Sequence, residues 1–125
     1  MTNELFAIAS EAYDKRNCKK AFKLFLESAK SGGVDSMVML DVMYGSGKGV
    51  DIDFKRSIEL GEKAVAAGSI SAILNLGITY CTIGDLGKAK HWFEKSLDAG
   101  DVEASLYLVK IYMVGELGAG SEKIS

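Results

Sequence analysis

The chain has 125 residues, of which 48% are hydrophobic and 26% are charged, and its formal net charge is −2. This composition excludes wholesale disorder, a strongly basic nucleic-acid-binding face and a polybasic membrane patch. No apolar run approaches the roughly 20 residues that a membrane span needs, and the first residues lack the basic and apolar segments of a secretory signal. We therefore expect one domain, residues 1–125, in the cytoplasm.

The two cysteines, Cys18 and Cys81, agree with that expectation. Two small, partly buried thiols are typical of a protein in a reducing compartment. A disulfide between them stays open, because sequence alone does not tell how far apart they lie.

Three kinds of marker recur along the chain at the same spacings, first 36 and then 32 residues. Such a shared period indicates internal repeats of two helices each. We place the repeats at about 2–33, 34–68, 69–100 and an incomplete 101–125. The markers are a tyrosine, a helix-ending glycine and a small residue: Tyr44, Tyr80 and Tyr112; Gly32, Gly68 and Gly100; Ala21, Ser57 and Ala89.

The first repeat shows both helices by periodicity. Asn17 and Cys18 separate them, and the second helix ends at the glycines of Lys30-Ser-Gly-Gly33, because glycine readily takes the left-handed C-cap conformation. The apolar face of the first helix recurs at i, i+3, i+4 and i+7: Leu5, Ile8, Ala9 and Ala12.

The second repeat contains the glycine-rich turn Gly45-Ser-Gly-Lys-Gly49. Three glycines in five residues disfavour a helix, since glycine loses the most backbone entropy there. We expect Asp35 or Ser36 to cap the helix before this turn, and Asp51 or Asp53 to cap the helix after it.

Gly61 stands in the interior of that later helix. Glycine costs roughly 1 kcal/mol against alanine at such a position, so we expect the backbone of a neighbouring helix to approach closely there.

In the third repeat Asp85 is the expected N-cap of the second helix, and Asp101 caps the next one. We expect the chain to leave the helix in the segment 115–120, which contains three glycines. The fourth repeat then lacks its second helix, and the residues left partly bare are Leu108, Ile111 and Tyr112.

Residues 36–68 resemble the Sel1-like repeat, a relative of the tetratricopeptide repeat. The sequence departs from the family pattern at Asp41, where the family prefers a glycine or another small residue. The resemblance implies an all-α fold, an α-solenoid of about three and a half antiparallel helix-turn-helix repeats with a concave face formed by the first helices. The matching residues are Leu40, Tyr44, Gly47-Lys-Gly-Val50 and 64–68 in the second repeat, Ala72, Leu76-Gly77, Tyr80, Ala89 and Phe93 in the third, and Ala104, Leu108, Tyr112 and Gly115 in the fourth.

Two features could suggest chemistry, and neither fits. A phosphate-binding loop requires G-x-x-x-x-G-K-[ST] after a strand, whereas Val42 stands where the first glycine should be and Lys48 is followed by glycine. His91 is the only histidine, and its repeat position is usually solvent-facing. No cysteine or histidine cluster has metal-ligand spacing. We expect no catalytic residue, no metal and no cofactor.

The remaining stripe of the first helices is apolar, and large exposed apolar patches mark interaction sites. We predict that it binds a partner protein. The alternative is a helical phase shifted by one residue, in which several of these side chains pack against the neighbouring repeat. The stripe consists of Phe6, Ser10 and Tyr13; Val38 and Val42; Leu74, Ile78 and Cys81; Leu106, Lys110 and Met113.

The resemblance implies a non-catalytic protein–protein interaction module. Small bacterial members of the family include immunity proteins that neutralise a cognate toxin, so a toxin is one expected partner. Two alternatives stay open: a hydrolase-type enzyme, for which His91 is the sole candidate, and a structural homo-oligomer, such as a homodimer through the C-terminal helix. We expect neither nucleic acid nor membrane as a partner.

Overall fold

The protein is a stack of helical hairpins. The computed structural model describes residues 2–124, and the side chains of residues 4–114. Over this part of the chain it has seven helices and no strand, so the predicted all-α solenoid is confirmed. The helices are α1 (Thr2–Asp14), α2 (Cys18–Lys30), α3 (Val34–Ser46), α4 (Phe54–Ala66), α5 (Ile70–Thr82), α6 (Leu86–Asp98) and α7 (Glu103–Ile124).

Helices that follow one another in the chain pack against one another. The helices pair as α1 with α2, α3 with α4, and α5 with α6, and each second helix also packs against the first helix that follows it. Because the connections are short, the paired helices run antiparallel. The first helices α1, α3, α5 and α7 therefore recur on one side of the stack. We call the solvent-facing side of these four helices the first-helix face.

Side-chain caps fix where most of the helices begin. Asp53 caps α4 and Asp85 caps α6, and each side chain accepts a hydrogen bond from the backbone N–H three residues later. The expectation that Asp35 or Ser36 caps α3 is wrong. Helix α3 starts at Val34 after Gly33, because glycine tolerates the extended N-cap backbone without a side-chain bond.

Helix α7 begins where expected and continues further than expected. The Oδ1 atom of Asp101 accepts a hydrogen bond of 3.1 Å from the N–H of Glu103. The helix then runs to Ile124, so the expectation that the chain leaves the helix at Gly115 is wrong. Glycine weakens a helix by roughly 1 kcal/mol per residue, but helical dihedral angles remain accessible to it.

The glycine-rich turn of the second repeat lies against the first repeat. Gly49 has a φ of 75°, and a Cβ atom there would collide with the carbonyl oxygen of Cys18. Lys48 donates a hydrogen bond of 3.4 Å to the hydroxyl of Tyr13, and its Nζ lies 5.5 Å from the centre of that ring. The lysine that resembled a phosphate ligand therefore helps to hold two repeats together.

The core forms two clusters, one in each half of the stack. Phe25 and Phe93 are the largest fully buried side chains, one in each cluster. Cys18 packs beside the first cluster and Cys81 beside the second, and both thiols are free and partly buried. Burial raises the pKa of the Cys81 thiol, which makes it a poorer nucleophile at neutral pH.

Candidate functional site

The structure places the predicted partner-binding residues in three groups. Four are exposed: Val42 (36%), Leu106 (64%), Met113 (58%) and Lys110. Half-buried are Phe6, Ser10, Tyr13, Val38, Ile78 and Cys81. The remaining one, Leu74, is buried and 9% exposed.

Leu74 requires a correction. Its predicted exposure on the groove is wrong, because its side chain lies in the second core cluster together with Ala89 of α6 and Ala104 of α7. This is the alternative arrangement, in which part of the stripe packs against the neighbouring repeat. The same cluster contains Leu108, which is 7% exposed, so the expectation that Leu108 is bare is also wrong. Tyr112 is 51% exposed, as expected.

Phe6 and Tyr13 contribute to packing as well as to the surface. The ring of Phe6 lies 5.6 Å from the ring of Phe25, centre to centre, and Tyr13 is covered by Lys48. Less of these two aromatic side chains is therefore free to contact a partner than the sequence suggests.

Two clefts open between successive first helices. One, of about 450 Å³, lies between α1 and α3 and is lined in part by Phe6 and Ser10. The other, of about 250 Å³, lies between α3 and α5, and its lining includes Val42 and Ile78. We call the second one the α3–α5 cleft. Four of the predicted residues thus line concave parts of the first-helix face.

The α3–α5 cleft is also lined by Asp41, a side chain that sequence reasoning noted only as a departure from the family pattern. Asp41 is 2% exposed. The Ser57 hydroxyl donates to its main-chain oxygen at 3.0 Å and also contacts its Oδ1, whereas Oδ2 has no hydrogen-bond partner among the described residues. Burial raises the pKa of Asp41 to about 6, and the Ser57 hydrogen bond opposes that shift.

The third repeat has a glycine at the corresponding position. Gly77 lies 36 residues after Asp41, the spacing that relates the first helices of these two repeats. A Cβ atom on Gly77 would lie 2.5 Å from Cε1 of Phe93. A glycine in α5 therefore makes room for a buried phenylalanine in α6.

In the second repeat this pair is replaced by a polar set. At the 32-residue spacing of the second helices, Gly61 takes the place of Phe93 and Ser57 takes the place of Ala89. Asp41 thus enters the space that a phenylalanine ring leaves, and Ser57 supplies a hydroxyl that an alanine lacks. Three substitutions in one repeat combine to bury a carboxyl group.

Gly61 is the reason that this carboxyl group fits. A Cβ atom there would lie 2.9 Å from Cδ2 of Leu76 and 3.1 Å from Oδ2 of Asp41. The predicted close approach to Gly61 therefore exists, but two side chains make it rather than a helix backbone.

Other chemistry-bearing groups are dispersed. His91 is exposed, and its ring lies 5.6 Å from the ring of Trp92. Within the described residues, no group of three or more His, Cys, Asp or Glu side chains could hold a metal ion. In the same part of the chain, no helix is both long and apolar enough to cross a membrane.

The helical hairpins and their period define a helical-repeat solenoid. The family model of the Sel1 repeat matches residues 10–33, 35–69 and 70–101, and the chain therefore belongs to the Sel1 repeat family. The Sel1 repeat fold is generally a protein–protein interaction module and typically a non-catalytic scaffold.

Solved structures of other proteins share this fold, and two of them illustrate the similarity. A protective antigen of uropathogenic Escherichia coli with an SLR fold has 24% sequence identity and a TM-score of 0.77, over 90% of this chain and 26% of its own length. This chain thus spans about a quarter of that protein. A Sel1 repeat protein from Oxalobacter formigenes has 24% identity and a TM-score of 0.69, over 87% of this chain and 88% of its own. Among curated proteins, no sequence matches the chain.

Proposed function

We propose that this chain is a non-catalytic interaction module that binds a partner protein through its first-helix face. The observation that carries the proposal is the exposure of apolar side chains on two of the first helices, Val42 on α3 and Leu106 and Met113 on α7. Exposed apolar side chains beside clefts are typical of protein-binding surfaces. The clefts on either side of α3 would accept side chains of the partner.

A bacterial toxin is the partner class that we propose for this surface. The support is the resemblance to small family members that act as immunity proteins. In this proposal the single run of repeats is the site that binds the toxin. In this role the first-helix face covers the toxin, and the chain itself performs no reaction. The proposed setting is the cytoplasm, which remains a prediction from the sequence.

The experiment compares affinity capture by matched variants. Val42→Asp and Leu106→Asp each place a charge on the first-helix face, and Leu97→Asp places one on an exposed position of α6 (39%). Proteins captured from the native host by the wild-type chain are quantified for each variant. We expect the first two variants to lose a partner that Leu97→Asp retains. Equal capture by all three variants contradicts the proposal.

A homo-oligomer through α7 is the second candidate. Within the described residues, helix α7 packs on α6 but has no second helix of its own repeat beside it. Five of its large apolar side chains are more than half exposed: Leu106, Val109, Tyr112, Met113 and Val114. A mass in solution that rises with concentration supports this candidate. A strict monomer at all concentrations removes it.

A further inference from the structure

Helix α7 presents an exposed apolar stripe on the side that faces away from the core. On the core side, Ala104 and Leu108 pack in the second core cluster and are 0% and 7% exposed. At about 100° per residue, four apolar side chains project from the opposite side, and each is more than half exposed. We call them the α7 stripe: Val102, which directly precedes the helix, Leu106, Val109 and Met113.

The third repeat shows what covers the corresponding positions inside the stack. At the 32-residue spacing that relates α5 to α7, Leu106 corresponds to Leu74 and Val109 corresponds to Gly77. Leu74 is buried in the second core cluster together with residues of α6 and α7, and Gly77 lies against Phe93 of α6. The middle of the α7 stripe is therefore a surface that the solenoid normally buries, and no described element covers it.

Val109 disfavours a helix like α6 as the cover of this surface. A Cβ atom on Gly77 would already lie 2.5 Å from Cε1 of Phe93. The branched side chain of a valine at the same position would collide with such a ring. The surface instead suits a helix whose aliphatic side chains fit between its own.

The spacing of the α7 stripe matches a second copy of the same helix. Its members are four, three and four residues apart, which is the spacing of the apolar positions in a coiled coil. This series is the same in both directions, so a two-fold axis between residues 107 and 108 places an antiparallel copy in register. In that arrangement Val102 faces Met113 of the second copy, and Leu106 faces Val109.

The charges beside the stripe are complementary in the same arrangement. Glu103 and Lys110 are exposed, and each directly follows a valine of the stripe, at the heptad position whose charges set partner and orientation. Across the two-fold axis, Glu103 of one copy and Lys110 of the other lie about two residues apart, which is about 3 Å along the helix. In a parallel pair these charges would face Ser105 and Tyr112 instead. The charges therefore favour the antiparallel arrangement.

From these observations we infer that α7 pairs with α7 of a second copy of this chain in an antiparallel, two-fold symmetric dimer, in which the α7 stripe is the apolar contact and two Glu103–Lys110 ion pairs flank it. The inference rests on the second candidate function, because it names the contact that the homo-oligomer uses. The dimer covers Leu106 and Met113, so a different partner would reach the first-helix face mainly at α1, α3 and α5.

The test measures the mass of the purified chain by sedimentation equilibrium over a range of concentrations. We expect the wild type to show a monomer–dimer equilibrium. Leu106→Asp places two charges in the apolar contact of each dimer, and it should weaken association about a hundredfold or more. Leu97→Asp changes an exposed leucine of α6 and should associate as the wild type does.

Charge reversal tests the antiparallel pairing. Glu103→Lys and Lys110→Glu each turn two attractive contacts per dimer into repulsive ones, so each should weaken the dimer about tenfold at low salt. The double variant restores both ion pairs with the charges exchanged, and its affinity should return to within about threefold of the wild type. Glu62→Lys, at an exposed position of α4, alters the net charge as Glu103→Lys does and should leave the affinity unchanged.

A wild type that stays monomeric at every concentration overturns the inference. Association that Leu106→Asp leaves unchanged overturns it as well, and so does a double variant in which the two charge reversals add instead of cancelling. In the last two cases a homo-oligomer exists but uses a different contact. Val42 lies on α3, outside the α7 stripe, so loss of a captured partner by Val42→Asp concerns the partner-binding proposal alone.

Discussion

The hydroxyl of Ser57 lies within hydrogen-bonding distance of both the main-chain oxygen and the carboxylate Oδ1 of Asp41. One hydroxyl proton therefore serves two acceptors. If the carboxyl group takes up a proton, it can donate to Ser57, and Ser57 can donate to the main-chain oxygen without competition. Burial favours the protonated carboxyl group and raises the pKa of Asp41, whereas the Ser57 hydrogen bond favours the carboxylate and opposes that shift.

The first prediction is that Asp41 makes the stability of the fold depend on pH. Its pKa rises from 3.8 to about 6 on folding, so between these values the folded state binds more protons than the unfolded state. The stabilising contribution of Asp41 to the free energy of unfolding is therefore fully present below pH 3.8, and it is lost as the pH rises through 6. At 1.36 kcal/mol per pKa unit the change amounts to roughly 3 kcal/mol.

Urea unfolding of the wild type and of Asp41→Asn across this pH range measures it. The free energy of unfolding of the wild type should fall relative to that of Asp41→Asn as the pH increases. The difference between the two should level off above about pH 7. The exposed carboxylates are common to both proteins and cancel. Parallel curves would show that Asp41 titrates normally in the folded state.

The second prediction concerns the coupling between Asp41 and Gly61. Gly61→Phe restores the residue of the third repeat, but its ring would enter space held by Asp41 and Leu76. Overpacking of this kind costs roughly 1–3 kcal/mol. In an Asp41→Gly background the carboxyl group is absent, and the same substitution should cost at least about 1 kcal/mol less.

A double-mutant cycle on the free energy of unfolding measures that coupling. Additive effects of the two substitutions would mean that Asp41 and the introduced ring do not compete for the same space. Adding Ser57→Ala completes the conversion to the third-repeat set. We expect its effect on the free energy of unfolding to be small, because without the carboxylate the Ser57 hydroxyl keeps only its hydrogen bond to the main-chain oxygen at position 41.

The repeat period predicts most of the fold. It also contains evidence for the buried polar set of Asp41, Ser57 and Gly61. The spacings of 36 and 32 residues align Ser57 with two alanines, Ala21 and Ala89. Ser57 and Asp41 depart from the repeat pattern in the same repeat, and this coincidence indicates a contact between the two side chains. The contact between Ser57 and Asp41 depends on how α3 packs against α4. The periodicity of either helix alone does not predict that packing.

The exposure of the stripe was harder to predict for a physical reason. Leu74 and Ile78 are one turn apart on α5, yet one packs in the core and the other lines a cleft. Helix α5 contacts its own partner α6 and also α3 and α4 of the preceding repeat, and its Leu74 packs in the same cluster as Ala104 of α7. Little more than a narrow strip remains solvent-facing, and an error of one residue in helical phase moves a side chain across its edge.

The third prediction tests the glycine that makes room for Phe93. Gly77→Ala would bring a Cβ atom to 2.5 Å from a buried aromatic ring, whereas at Gly87 in α6 the nearest atom to an added Cβ lies 3.8 Å away. Alanine favours a helix over glycine by up to about 1 kcal/mol, so Gly87→Ala should be neutral or stabilising. Gly77→Ala should cost roughly 1–3 kcal/mol through overpacking.

Thermal and urea unfolding of the two variants provide the comparison, since both substitutions add the same methyl group to a helix. Stabilisation by Gly77→Ala would mean that the Phe93 ring moves aside at little cost. In that case the close approach between α5 and α6 would not restrict the residue at position 77, and the glycine there would need another explanation.

The fourth prediction separates the core from the binding surface within the predicted stripe. Leu74→Asp buries a carboxylate in an apolar cluster that contains Ala89 and Phe93, and truncation of a buried leucine alone costs about 2–5 kcal/mol. The variant should lose most of its cooperative unfolding. Val42→Asp changes a side chain that is 36% exposed, and it should shift the free energy of unfolding by less than about 1 kcal/mol.

Far-UV circular dichroism during heating distinguishes the two outcomes. If both variants unfold, Val42 is a packing residue, and loss of partner capture by Val42→Asp says nothing about a binding surface. If Leu74→Asp also stays folded, the second core cluster is looser than its burial indicates. Only an intact Val42→Asp beside an unfolded Leu74→Asp allows the loss of a partner to be assigned to the first-helix face, because a folded variant that fails to bind has lost a contact rather than its structure.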